Sequence, residues 1–286
     1  MRARTRLTAL AAGLTLALGA PAATAATADL ALPSANAASE HGPAPTKESI
    51  GVDGTFEVAS KKVPVDLSKG FYGGTIYYPS NGAEGETFGG VVTMPGFLEP
   101  GAVMDLVAKR LASHGYVVMM AEALTPMSQP ESRAQATLSA QKVLHADETV
   151  APLLDDERTA LVGHSMGGGG VLHAAAKSEQ DAVIPIHPWA QRGFKDVTEP
   201  TLTIGGMLDN VAPMAQYTLP IHASIGSETK GLFTDLAGTH WAGLVDNKVI
   251  QGRILSFLKV HVDGDTRYEQ FVWAPAEQGF VYKSPC

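Results

Sequence analysis

A doubly wound, mostly parallel α/β sheet is the fold this sequence predicts. From Phe71 onward, short apolar runs alternate with segments of helical spacing, and strands separated by helices build parallel sheets. Two of the runs, residues 90–94 and 116–120, are almost wholly apolar rather than alternating, as expected of strands covered on both faces. With 286 residues, 45% of them hydrophobic and 17% charged, the chain is long enough for one domain with a substantial core.

The elements follow in order. Residues 74–78 read as a strand ending at Pro79, and residues 90–94 as the next. Residues 102–113 have helical spacing and stop before Gly115; residues 116–120 form a strand and 131–145 a helix. Residues 159–162 form a strand that runs into a stretch of small residues able to open a helix, and 182–186, 201–204 and 231–236 are further strands. Val249, Ile250, Ile254, Phe257, Leu258 and His261 share one face of a C-terminal helix. The last stretch, with Phe271-Val272-Trp273, is expected to pack back on the body.

The N-terminus reads as an export signal over residues 1–25. Arg2, Arg4 and Arg6 precede an apolar stretch over 7–20 and a small-residue cleavage site, Ala23-Thr24-Ala25. That stretch is too short for a membrane span. Residues 26–50, rich in Ala, Ser and Pro, read as a disordered lead-in, and 51–286 as a single domain. Removing the signal takes three Arg from the 21 Lys and Arg and leaves 18 against 29 Asp and Glu, a net charge of −11. Such a chain is expected to bind neither nucleic acid nor membrane, and to be a secreted monomer. The only cysteine, Cys286, is terminal, so no internal disulfide is expected.

The chemistry is concentrated in Gly163-His164-Ser165-Met166-Gly167. A strand before and a helix after make this G-x-S-x-G a nucleophile elbow, a sharp turn that exposes the serine hydroxyl. A serine needs a base, and the base needs an orienting carboxylate. On such a fold they follow in the order Ser, Asp or Glu, His, at the carboxyl ends of strands. Asp209 lies just past the strand 201–204, and His240 follows the last strand in Leu236-Ala237-Gly238-Thr239-His240. Asp235 is the rival acid, but it lies in or beside a strand. The backbone N–H groups of Met166 and of Phe97, in Pro95-Gly96-Phe97, are the expected oxyanion donors. No metal-ligand spacing joins the histidines, so neither metal nor cofactor is expected.

Tyr77-Tyr78-Pro79, Met94-Pro95-Gly96-Phe97, Arg110-Leu111-Ala112-Ser113-His114-Gly115, residues 163–170, Pro188-Trp189, residues 208–213, Thr239-His240 and Asp265-Thr266-Arg267-Tyr268 occur in this order. In these motifs the chain resembles the secreted actinomycete cutinases and polyester hydrolases, including those acting on poly(ethylene terephthalate). The likeness runs from about residue 71 to 268. It implies an α/β-hydrolase fold without a large lid, a shallow open cleft, and a polyester or small ester as substrate. The 44 residues from Ser165 to Asp209 and 31 from Asp209 to His240 agree with the missing lid. The family's aromatic clamp maps onto Trp189, with Phe97 on the opposite wall. Departures at His187, Ala190 and Trp241 imply a bulkier, less polar cleft, with His187 and Trp241 also lining it. Most relatives close the C-terminus with a disulfide, for which Cys286 has no partner. A general short-chain esterase with little polymer activity is the alternative.

Overall fold

The computed structural model describes residues 39–283, so the expected signal, the first part of the lead-in and Cys286 lie outside it. Nine strands form one sheet: β1 (Val58–Val63), β2 (Gly74–Pro79), β3 (Phe88–Met94), β4 (Tyr116–Ala121), β5 (Leu154–His164), β6 (Ala182–Ile186), β7 (Thr201–Gly206), β8 (Lys230–Asp235) and β9 (Phe280–Lys283). Their spatial order is β1-β2-β4-β3-β5-β6-β7-β8-β9. Pairings from β4 through β8 are parallel; β1, β2 and β9 join antiparallel at the edges. The helices are α1 (Asp105–Ser113), α2 (Pro130–Ala146), α3 (Met166–Ala175), α4 (Thr218–Ser224), α5 (Lys248–His261) and α6 (Glu269–Val272). Alternate strand residues feed two cores. Val91, Val118, Val162 and Ile184 face α1, α5 and α6, while Val92, Met119, Leu161 and Val183 face α2, α3 and α4.

This is the doubly wound, mostly parallel sheet that the alternation of strands and helices predicted. Connections run outward in both directions from β3, toward β4 on one side and β5 on the other. The crevice at such a switch point, past the carboxyl ends of the strands, is where ligands bind in open α/β sheets. Among the described residues no helical cap separates β6 from β7, and no described helix is long and apolar enough to cross a membrane.

Three readings change. The two edge strands β1 and β9 were not expected: each alternates exposed and half-buried residues, so neither carries the apolar run that marks the buried strands. The helix expected over 102–113 opens as a 3₁₀ turn, Gly101–Met104, before α1. The lead-in is not disordered from residue 39 onward. Ser39 N–H donates to Asp263 O, His41 is buried against Phe56 and Phe88 with Nδ1 2.8 Å from Glu86 Oε1, and Ile50 packs on the core. A few docked side chains order this stretch without any periodicity to announce them.

The C-terminal segment does pack back. Arg253 of α5 donates to the carbonyls of Phe271 and Val272, and its guanidinium lies over both the Phe233 and Tyr282 rings, 4.8 and 4.6 Å from their centres.

His114, His222 and His261 are each held down to a pKa of about 4, chiefly by burial. Their folded values lie below the ordinary 6.5, so the unfolded chain binds more protons as the medium acidifies. Their contribution to stability is therefore full above about pH 6.5 and is lost as pH falls toward 4. Urea midpoints should drop between pH 7 and 4.5. His261→Phe should flatten that slope, since His261 Nε2 is buried with no partner. A pH-independent midpoint would contradict the burial argument.

Candidate active site

β5 ends at His164 and α3 begins at Met166, so Ser165 alone turns the chain, with φ 54° and ψ −121°. A non-glycine residue held there costs of order 1–3 kcal/mol. Backbone packed without side chains holds it: a Cβ on Gly163 would come within 2.3 Å of Gly167 O, and one on Gly167 within 2.2 Å of Met94 O. Ser165 N–H donates to Ile186 O, and Ser165 O accepts from Gly169 and Trp189 N–H. The elbow is thus tied to the segments after β3 and β6. Among the described non-glycine residues only Leu98, Ser165 and His187 have positive φ. They sit on the loops after β3, β5 and β6, so backbone strain collects at the crevice.

Asp209 follows β7. Its Oδ1 accepts from the N–H groups of Val211 and Ala212 at 2.9 and 2.8 Å. Its Oδ2 accepts from His240 Nδ1 at 2.8 Å and His187 Nδ1 at 3.1 Å. Burial by itself would raise the carboxyl's pKa, but the donations from His187, His240 and Ala212 outweigh it and hold the group well below the usual carboxylate range. With its Nδ1 proton on Asp209, His240 keeps Nε2 free to accept one, as a general base requires. Asp235 is engaged elsewhere, accepting from Ala237 N–H and Asn247 Nδ2.

A second carboxylate and histidine support the first pair from behind. His164 Nε2 donates to His240 O at 2.8 Å, and His164 Nδ1 lies 2.9 Å from Glu99 Oε2. Glu99 Oε2 also accepts from Gly96 N–H. The His164 ring thus bridges the Glu99 carboxyl and the backbone carbonyl of His240.

No hydrogen bond joins Ser165 Oγ to His240 among the described residues; catalytic bonds of this kind often close only in the substrate complex. A Cβ on Gly96 would lie 2.7 Å from Ser165 Cβ, so the loop that carries Phe97 passes beside the serine, and the N–H groups of Phe97 and Met166 are unused in backbone hydrogen bonding. The Phe97 loop is anchored by Arg133 of α2, a fully buried side chain. Its guanidinium donates to Pro95 O at 2.9 Å and Pro126 O at 2.8 Å, and its Nε to Ser128 O at 2.9 Å. Burial lowers its pKa to about 10, so it stays charged at neutral pH.

Trp189 is half-buried, its ring 5.6 Å from that of Tyr217. Phe97 and Trp241 are 43% and 47% exposed, and the Trp241 ring lies 5.5 Å from both His164 and His240. These three present apolar faces at the crevice. His187 does not: it is wholly buried and faces Asp209 rather than a substrate. The left-handed backbone at position 187 turns the ring inward onto β7, which corrects the expectation that it lines the cleft. Glu99 and Tyr217 were missed. An acid between Leu98 and Pro100 in an otherwise apolar loop was the available signal for Glu99; Tyr217 had none. The donor sets Glu99–His164–His240 and His187–Asp209–His240 have the composition of metal ligands. Within these sets Glu99 and His164, His187 and Asp209, and His240 and Asp209 engage one another directly, at 2.9, 3.1 and 2.8 Å.

The Arg133 anchor gives a test of the Phe97 N–H as an oxyanion donor. Losing one such donor costs roughly 10²–10³ in kcat, and a loosened loop part of that. Arg133→Met should lower kcat on a p-nitrophenyl ester by roughly 10- to 10²-fold with KM little changed. A variant that only melts earlier, with kcat intact, would remove the role.

Residues 33–284 match a family model described as PET hydrolase-like. The chain is 38% identical over 258 residues to cutinase 1 of Thermobifida cellulosilytica, covering 86% of this chain and 97% of the relative. It is 38% identical to a cutinase of Thermobifida fusca (strain YX), with 86% and 85% covered. To the bis(hydroxyethyl) terephthalate hydrolase of Streptomyces coelicolor it is 39% identical over 237 residues, with 82% and 76% covered. On these matches, which cover most of the chain and of each relative, the chain belongs to the PET hydrolase-like family of α/β-hydrolases.

Proposed function

We propose that the protein is an exported serine carboxylic-ester hydrolase that cleaves polyesters and short-chain acyl esters through an acyl-enzyme on Ser165. The observation that carries this is the Asp209–His240 hydrogen bond of 2.8 Å, made behind a serine on a positive-φ elbow. Ser165 Oγ attacks the ester carbonyl as His240 Nε2 takes its proton. Asp209 orients His240 and stabilises the imidazolium. The N–H groups of Met166 and Phe97 receive the oxyanion. The tetrahedral intermediate collapses as His240 protonates the leaving alcohol, and water, activated by the same histidine, releases the acid and regenerates the serine. Asp235 has no part.

The open crevice, with Trp189, Phe97 and Trp241 around it, suits a chain that lies across the surface rather than threading inward. Flat aromatic faces bind acyl or aryl units by stacking. The named substrates of its relatives, cutin and bis(hydroxyethyl) terephthalate, fall in this class. Export follows from the signal-like residues 1–25 and from the substrate, since an insoluble polymer stays outside the cell.

The test is product release from an aliphatic polyester emulsion and an amorphous poly(ethylene terephthalate) film, with Ser165→Ala alongside. Soluble acid from either polymer is expected, and the variant should lose more than ~10⁴ in rate. Ser165→Ala with near-wild-type activity would overturn the mechanism. Cleavage of p-nitrophenyl butyrate alone would leave the triad standing and make the protein a short-chain esterase.

A further inference from the structure

The acid of the triad has one more donor than its assigned role requires. Oδ2 of Asp209 accepts not only from His240 Nδ1 but from the Nδ1 of His187, a fully buried ring on the loop after β6. We infer that His187 is a positioning residue for the ester hydrolysis proposed above, on which this inference rests: its neutral imidazole donates Nδ1–H to Asp209 and locks the carboxylate onto His240.

The geometry leaves the ring no other task. An ionised carboxylate only accepts, so the proton of this bond sits on His187 Nδ1. Nε2 is then an acceptor, and it is buried with no partner. A chain that needed only bulk here would be better served by an apolar side chain, which leaves nothing unsatisfied. The surroundings are shaped to the ring instead. Its own N–H is pinned to Ile204 O at 2.7 Å, its backbone takes φ 44°, and a Cβ on Gly206 of β7 would lie 2.9 Å from its Cε1.

With His187 in place every acceptor position of Asp209 is filled: Oδ1 by Val211 and Ala212, Oδ2 by the two imidazoles. The carboxylate cannot rotate or slip without breaking several of these bonds. The neutral ring adds a dipole rather than a charge, so it does not repel the imidazolium that forms on His240. The other titratable groups around it are His164, at the end of β5, with ring centres 6.1 Å apart, and His240 itself, at 5.8 Å. Behind His164 stands Glu99, on the loop after β3. Asp235, at the end of β8, is bonded to Ala237 and Asn247.

His187→Asn and His187→Gln separate donation from bulk. The Asn amide nitrogen falls where Nδ1 stands, whereas the Gln amide falls near Nε2 and cannot reach Asp209 in the same way. Both are assayed on p-nitrophenyl butyrate, with His187→Gly as a truncation that tolerates the left-handed backbone. The Gln and Gly variants should lose roughly 10- to 100-fold in kcat, with KM within about twofold of wild type. Their acid limb in kcat/KM should move to higher pH, because a carboxylate short of one donor concentrates its charge on His240 and favours the imidazolium. The Asn variant should stay near wild type in both. A Gln variant as active as wild type, an Asn variant as impaired as Gln, or a loss of kcat with an unmoved acid limb would each overturn the inference while leaving the triad intact. Should Gln and Gly fail to fold, Asn alone decides, by matching wild type or not. A wild type inactive on the ester, or indifferent to Ser165→Ala, would remove the triad and this inference with it.

Discussion

Everything at the crevice depends on a single strained residue. Ser165 can hold φ 54° only because Gly163, Gly167 and the backbone after β3 meet at distances that a side chain would forbid. The same close approach brings the Phe97 loop beside the serine and hands the serine's carbonyl to Trp189. One local conformation thus fixes the relative places of Ser165, the Phe97 loop and Trp189. The cost of the turn and of a glycine-rich first helical turn, on the order of 1 kcal/mol per glycine, is offset by the fully buried strands β3 and β6 on either side of β5.

Charge at the site is arranged so that no unpaired ion is buried. Asp209 is surrounded by four donors, and Glu99 is bonded to His164 and Gly96. In the mechanism proposed, the charge that develops on His240 arises against an acid whose acceptor positions are already filled. Preorganisation of this kind lets fixed dipoles rather than moving water respond to the developing charge.

Much of this was legible in the sequence, for definable reasons. β3, β4, β6 and the second half of β5 are buried and largely apolar because both their faces are covered, so composition reveals them. β1 and β9 are half-exposed edges, and composition hides them. The turn at Ser165 and the pairing of Asp209 with His240 could be anticipated because chain order and strand ends constrain them. His187 could not be read correctly: adjacency to Pro188-Trp189 placed it in the cleft, while its actual direction is set by a positive φ and by the absence of a side chain at Gly206 across the loop. The order of residues 39–50 was equally hidden, since it rests on isolated contacts by His41 and Ile50.

Arg133 carries a consequence for how the molecule comes together. It belongs to α2, yet its three hydrogen-bond partners are carbonyls of the segments leaving β3 and β4. Those loops keep their anchor only while the crossover helix is docked, so any opening of α2 releases the segments after β3 and β4 together. The shape of the crevice is therefore tied to the docking of one helix.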